Sequence, residues 1–416
     1  MMEKALKWLS SFALVTLLTT SIAATATAGK ETTTTAAANT SAHLVIPLGK
    51  NSSLVPQPPA LDAGAYVISD FNTGQILAVK NPDQRMAPAS LTKLMTLYVI
   101  SNALQHGQIH LDDQVRISKK AWKMGGSKMF VRIGTTVPVE KLVQGIIVDS
   151  GNDACVAMSE HVAGSEDAFV DLMNQQAKKL GMTNSHFVDC TGMPHDGHYS
   201  TPHDMAVLAR ELIKEFPQYY SWYKQKWLTY NGIKQPNRNR LLWRDPSVDG
   251  LKTGHTESAG YCLVASALRG NNRMISVVMK APSDNARAQD SQQLLTYGFR
   301  FFDSPKVATA NTALATPRVW GGKDKTITAG ITEDVFVTVP QGQAASIQKN
   351  ITISTPLKAP IARGDTIGTM TVTLNGQTIS QHPIVALTDD PSGSAWVRIK
   401  DRIGQSFHRL FHSKPA

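Results

Sequence analysis

The sequence predicts an α/β domain with an antiparallel sheet, then a small all-β sandwich, then an amphipathic helix at the C-terminus. Three observations carry this. Strand patterns open and close the long N-terminal region and enclose a block of helical patterns. Beyond Pro305 helical signals nearly vanish and short β-rich runs replace them. From Ser394 a helical period returns with one apolar face. A chain of 416 residues, 42% hydrophobic and 18% charged, has room for two or three domains and a sizeable core.

Taken in order, MMEKALKWLSSFALVTLLTTSIAATATAG has a basic start (Lys4, Lys7), an apolar stretch from Trp8 to Ile22, and small residues ending in Ala26-Thr27-Ala28. Residues 1–28 read as a secretory signal peptide cut after Ala28. The apolar stretch is too short and too rich in Ser and Thr for a transmembrane anchor. Residues 29–58, rich in Thr, Ala and Ser, read as a flexible linker. AYVISDFNTGQILAVKN is a hairpin turning at Asn72-Thr73-Gly74. In MAPASLTKLMTLYV, Leu91, Leu94, Met95, Tyr98 and Val99 recur at helical spacing behind Pro88. Further helices are expected over 137–149, 153–164, 166–180 and 203–215; Ser165 is the candidate N-cap of the third and Gly181 its stop. TESAGYCLVASAL and RMISVVMKA are strands, and a helix over 285–302 closes the domain, placed at residues 59–305.

The β-rich runs are 335–340, 351–355, 366–374 and 377–387, with Asn375-Gly376 as a hairpin turn between the last two. They set a β-sandwich over residues 306–388. Asp389 to Gly393 is a hinge, and residues 389–416 form hinge and terminal helix together. In that helix Trp396, Ile399, Ile403, Phe407, Leu410 and Phe411 share one face, with Arg398, Arg402 and Arg409 opposite. Lys400 lies towards the apolar face, where its stem can snorkel, and Gly404 weakens the helix. The segment is too polar and short to span a bilayer. It suits a helix lying in the interface of an anionic membrane; packing on the β domain or a partner is the alternative.

The formal charge is +10, from 42 Lys and Arg against 32 Asp and Glu. There is no zinc-finger spacing and no basic helix carrying stacking aromatics, so nucleic acid is not expected as a partner, and an anionic membrane or wall polymer is. Cys155, Cys190 and Cys262 exclude a disulfide scaffold and leave at least one free thiol. They read as small buried hydrophobes. Nothing implies a metal or a cofactor.

The chemistry begins with Ser90 and Lys93, three residues apart and so on one helix face. A serine hydroxyl needs an adjacent base, and lysine serves if burial or a second cation lowers its pKa. Spacing alone decides nothing, because roughly one or two S-x-x-K matches arise by chance in such a chain. Ser221 and Lys224 in SWYK are a second one. Two distant segments decide: Ser150-Gly151-Asn152 in IIVDSGNDACVAM, between two helices, and Lys252-Thr253-Gly254 in VDGLKTGHTESAGYCLVA, leading a strand.

S-x-x-K, S-x-N and K-T-G in that order are the signature of the penicillin-recognising serine acyl-transferases, the penicillin-binding proteins and serine β-lactamases. In SGNDACVAM and KTGHTESAGY the chain resembles the low-molecular-mass D-alanyl-D-alanine carboxypeptidases, and it does so from about residue 60 to the C-terminus. The resemblance implies a transpeptidase-like α/β domain with a β domain and a membrane anchor. It also implies roles. Ser90 is the nucleophile and Lys93 its base, made neutral by a nearby Lys252 ammonium. Ser150 relays a proton to the leaving amine and Asn152 holds the substrate amide. The K-T-G strand offers a free edge to an extended peptide, with Gly254 giving it room. Thr253 and Thr256 supply hydroxyls near the substrate carboxylate. The backbone N–H groups of Ser90 and His255 meet the oxyanion. Arg238 matches an arginine near the substrate's terminal carboxylate, and Arg287 a supporting one. Gly125, Gly126 and Ser127 sit in a loop (123–130) bordering the site. Ser283-Asp284-Asn285 is an S-D-N in the wrong order and has no catalytic role. Cys190 and the Gly192-Met193-Pro194-His195 stretch depart from the family pattern; Cys190 stands where a polar residue is expected.

The implied activity is removal of the terminal D-Ala from peptidoglycan pentapeptide stems through an acyl-enzyme at Ser90, with β-lactams acylating the same serine. The enzyme would be periplasmic and peripherally attached to the inner membrane. A DD-endopeptidase shares all three motifs. A β-lactamase needs a deacylating glutamate, and the candidates Glu160, Glu166, Glu211 and Glu215 read as helical surface residues. A non-catalytic β-lactam-binding sensor is the remaining alternative.

Overall fold

A computed structural model describes residues 43–44 and 55–412, with side-chain surroundings from 55 to 404. The expected signal peptide and most of the expected linker lie outside the described residues. Six antiparallel strands form the central sheet, in the order His43–Leu44, Ile76–Lys80, Ala65–Asp70, Asn272–Ala281, Gly260–Arg269 and Val248–Thr256. The first hairpin of the domain and its last meet in the middle, Ile275 facing Ser69. That ordering leaves the K-T-G strand, Val248–Thr256, at the sheet edge.

Alternation along the strands divides two cores. Val67 and Val277 face the helical block and pack with Leu94, Ile146, Val156 and Phe169. Tyr66, Ile68 and Val278 face the closing helix, Asp284–Phe301, and pack with Leu294, Leu295 and Phe302. The linker is shorter than the sequence suggests. His43–Leu44 joins the sheet edge, Val55 is buried, and the Tyr297 hydroxyl donates to the Pro56 carbonyl at 3.0 Å. Apolar residues inside a Thr- and Ala-rich stretch find partners that composition does not reveal.

The helices of the block are Val139–Val148, Asn152–Ala163, Glu166–Lys179 and Pro202–Glu215. Ser165 caps the third as expected, its Oγ accepting the Ala168 N–H. Ser283 caps the closing helix in the same way, accepting from Ala286, so its S-D-N triplet is a capping sequence. The Ser90 segment differs from a simple helix. Ala89–Thr92 is a tight 3-10 turn, with Ala89 at φ +47°, and the α-helix itself starts at Lys93 and runs to Gln105. The turn closes through the Leu91 N–H and Pro88 carbonyl, 3.1 Å apart.

Beyond the closing helix, Ala329–Gly330, Gln377–Ala386, Thr366–Leu374 and Ile347–Ile353 form an antiparallel sheet. Asn375 and Gly376 both take positive φ (50° and 82°), the backbone of a two-residue hairpin. The opposite layer consists of two-residue ladders such as Val319–Trp320 with Leu357–Lys358. It is not a second regular sheet, because Pro317, Pro340, Pro356 and Pro360 remove ladder donors along it. Val319, Ile327, Met370, Val372 and Ile384 fill the space between. This domain joins the first through Phe302–Asp303 pairing with Val339–Pro340 and a 2.5 Å bond between the Thr73 and Thr338 hydroxyls.

The terminal helix runs over Ala395–His412. It is docked through Asp401, which accepts the Gly321 N–H at 2.7 Å and pairs with Arg318 at 3.3 Å. Gly404 lies beside the Trp320 ring, where a Cβ would make an ordinary contact at 3.4 Å. The apolar side is open, with Trp396 82%, Ile399 53% and Ile403 57% exposed. The side chains of Phe407, Arg409, Leu410 and Phe411 fall outside the described residues. No described helix is long and apolar enough to cross a membrane.

Candidate active site

Three elements converge on Ser90. The first is the 3-10 turn with the helix it opens. Lys93 is fully buried, and its Nζ donates to Ser90 Oγ at 2.9 Å and to the Thr191 carbonyl at 2.6 Å. The second is the junction between Val139–Val148 and Asn152–Ala163, where Ser150 takes φ +58° and accepts from Lys252 Nζ at 2.9 Å. The third is the edge strand carrying Lys252, which is also fixed to the Thr253 carbonyl at 3.1 Å. Ser90, Lys93, Ser150 and Lys252 thus form two hydroxyl–amine pairs.

Burial lowers the pKa of both lysines. The sequence assigned the depression of Lys93 to a Lys252 ammonium. Burial is the larger cause, the Arg238 charge adds to it at Lys93, and the repulsion from Lys93 falls on Lys252. A lysine held towards the neutral form beside a serine hydroxyl can take its proton.

Gly254 has a second use beyond leaving room for a peptide. A Cβ there would lie 2.9 Å from the Pro88 carbonyl and 3.2 Å from the Ser90 nitrogen. Only glycine lets the edge strand approach the Ser90 turn this closely, and the approach sets the strand backbone beside the Ser90 amide. His255 is exposed and stacks on Tyr261, ring centroids 4.0 Å apart. Thr253 is buried; the Thr256 hydroxyl accepts the Ala259 N–H at 3.1 Å. Arg238 is exposed and lines a cleft of about 590 Å³ with His255, Trp243 and Arg287. Arg287 braces the strand: it donates to the Gly254 carbonyl at 2.9 Å and pairs with Asp284.

Asn152 donates from Nδ2 to the Gly125 carbonyl at 2.8 Å, while its Oδ1 is buried with no partner among the described residues. A buried acceptor left open is costly, and a substrate amide N–H would satisfy it. The backbone N–H of Asn152 donates to the Ser127 carbonyl at 2.8 Å, which ties the 123–130 loop to the site.

Sequence reasoning missed three groups. Asp153 anchors the same loop by accepting the N–H groups of Met129, Phe130 and Val131 at 2.8–3.1 Å; its place directly after S-G-N was the available signal. Asp189 accepts the N–H groups of Thr191 and Gly192 (2.6 and 2.7 Å) and meets His198 at 3.3 Å, and His198 in turn reaches the Thr92 hydroxyl at 2.9 Å. That network positions the carbonyl that holds Lys93. Gly192 lies so close to the Ser90 turn that a Cβ would overlap the Ala89 carbonyl. Asp149, next to Ser150, is buried with one oxygen unpartnered, and burial pushes its carboxyl up to about 7.

The remaining candidates lie elsewhere or are occupied. Ser221 and Lys224 lie in a separate 3-10 turn and are both exposed. Glu160 accepts from Ser118, Glu211 pairs with Arg210, and Glu215 accepts from Tyr98. Glu166 pairs with Lys120 and accepts the Cys190 thiol at 3.2 Å, so the thiol does the polar duty expected at that position. All three cysteines are free and buried.

Known proteins resemble this chain in sequence and fold. The family model for D-alanyl-D-alanine carboxypeptidases of the peptidase S11 group matches residues 52–283, and that for the penicillin-binding protein 5 C-terminal domain matches residues 302–392. D-alanyl-D-alanine carboxypeptidase DacA of Escherichia coli is 43% identical over 86% of this chain and 91% of its own. DacC of the same organism is 42% identical over 86% and 91%. The crystal structure of penicillin-binding protein 5 from Haemophilus influenzae superposes with a TM-score of 0.76 at 41% identity, covering 80% of this chain and 99% of that one. Penicillin-binding protein D2 of Listeria monocytogenes, solved in an ampicillin-bound form, gives 0.54 at 31% identity over 58% of this chain and 98% of its own. The chain belongs to the D-alanyl-D-alanine carboxypeptidase family of serine peptidases and carries that family's C-terminal β domain.

Proposed function

We propose that this enzyme removes the terminal D-Ala from peptidoglycan pentapeptide stems by acylation and hydrolysis at Ser90, and that β-lactams acylate the same serine. The observation that carries the reading is the buried Lys93 amine 2.9 Å from Ser90 Oγ, with Lys252 and Ser150 paired beside it. Lys93 takes the Ser90 proton as Oγ attacks the penultimate D-Ala carbonyl. The negative charge on the carbonyl oxygen goes to the Ser90 and His255 N–H groups. Ser150, polarised by Lys252, passes a proton to the departing D-Ala amine. The stem peptide lies along the edge strand between Asn152 and Ser127 on one side and Thr253, Thr256 and Arg238 on the other. Deacylation by water returns Ser90.

The enzyme works in the periplasm after loss of residues 1–28 and is held to the inner membrane by its terminal helix. Support for this is the open apolar face at Trp396, Ile399 and Ile403 on a helix already docked to the β domain through Asp401. Incubation with a pentapeptide ending in D-Ala-D-Ala tests the activity. Free D-Ala with turnover is expected. A trapped acyl-enzyme without turnover would make the protein a sensor, and cleavage of a cross-linked dimer in preference to the pentapeptide would make it an endopeptidase.

A further inference from the structure

The terminal helix does more than expose an apolar face. Ala395, Arg398, Ile399 and Arg402 follow i, i+3, i+4, i+7 and so form one stripe. Across a cleft of about 490 Å³ this stripe faces Trp320, Gly321, Lys358 and Ala359 of the β domain. Three cations line the cleft: Lys358 from the domain, Arg398 and Arg402 from the helix. Its one carboxylate, Asp401, is occupied by the Gly321 N–H and by Arg318, which itself lies over the Trp320 ring at 4.0 Å. Neither Lys358 nor Arg398 meets a carboxylate within ion-pair distance among the described residues. The cleft lies along the flank of the helix between its docked row, at Asp401 and Gly404, and its open apolar row at Trp396 and Ile403, with Ile399 at the border. With that apolar row in the acyl boundary, the flank stands at the depth of lipid headgroups.

We propose that this cleft is a binding site for the phosphate of one anionic phospholipid headgroup, clamped between helix and β domain. It rests on the reading of the helix as a membrane anchor and adds to it. The apolar row supplies depth, and the cleft, whose cations come from both parts, couples the domain to the lipid and fixes the tilt of the molecule on the surface. A merely basic helix would attract anionic lipid diffusely and would not involve Lys358.

Cosedimentation of the full chain, leader removed, with phosphatidylcholine vesicles and with vesicles one-third phosphatidylglycerol tests it. Lys358→Gln and Arg398→Gln should each weaken binding to the anionic vesicles by about fivefold, with binding to phosphatidylcholine and D-Ala release unchanged. Arg363→Gln, the same loss of charge elsewhere on the β domain, should have less than half that effect. Equal losses for Lys358→Gln and Arg363→Gln would overturn the cleft while leaving the anchor standing. If the intact chain ignores both vesicles, or deletion of 394–416 changes nothing, the anchor itself fails. Inorganic phosphate at low millimolar, with ionic strength held by chloride, should not release the protein; release would reassign the cleft to free phosphate.

Discussion

At the scale of single residues, Lys93 is the group on which the proposed chemistry turns. Its amine is useful because it is buried and can be neutral, and arginine cannot be. Lys93→Arg should therefore fold, keep its thermal midpoint within a few degrees, and lose acylation by β-lactam by a factor on the order of 10³ or more; near-normal labelling in a stopped time course would remove the general-base role. Asp149 gives a second prediction. Its pKa rises from an ordinary carboxylate value to about 7 on folding, through burial first, with the Asp153 charge adding and the Arg238 charge opposing. A raised folded pKa means the native state holds the proton more tightly. The stabilising contribution is complete below the unfolded pKa, near 4, and is lost as pH rises through 7. Asp149→Asn should flatten the stability profile between pH 4 and 7 and raise stability at pH 8 by on the order of 2 kcal/mol. Urea titrations at the two pH values decide it, and an unchanged slope would mean that Asp149 is ionised in the native state throughout.

At the scale of elements, the loop 189–198 is the part that local sequence could not disclose. The S-x-x-K pair was legible because both residues belong to one turn, and the K-T-G strand because glycine and alternation mark it. The carbonyl that holds Lys93 comes from Thr191, far away in sequence, and is aimed by Asp189 and His198. No period or spacing encodes such a meeting. The same is true of Asp153, whose three loop contacts reach back over more than twenty residues. Where signals were local, as in the Ser165 cap and the Asn375-Gly376 turn, element ends agree closely with expectation. The 3-10 turn at Ser90 was missed because its surroundings are tertiary: Gly254 and Gly192 approach it from distant parts of the chain. His198→Gln should keep the fold but loosen the Thr191 carbonyl, slowing acylation by about tenfold with an altered pH profile. A loss of stability with an unaltered profile would make His198 structural only.

At the scale of the whole molecule, a peptidase domain, a β domain and a terminal helix follow one another, and the proposed function gives catalysis to the first and location to the last. Deleting residues 394–416 should release a soluble enzyme with unchanged kcat/KM on a pentapeptide, measured on washed membrane and soluble fractions. Activity lost together with membrane attachment would mean that the helix also supports the fold. The order of the domains was readable from composition and pattern. The irregular outer layer of the β domain was not: the run expected over 335–340 divides into two short strands, Val335–Phe336 and Val339–Pro340. All of this serves one serine. The most direct measurement is peptide mapping by mass spectrometry after exposure to benzylpenicillin, for the wild type, Ser90→Ala and Ser221→Ala. One adduct on Ser90 is expected in the wild type and in Ser221→Ala, with none in Ser90→Ala; an adduct persisting in Ser90→Ala, or lost in Ser221→Ala, would contradict the account.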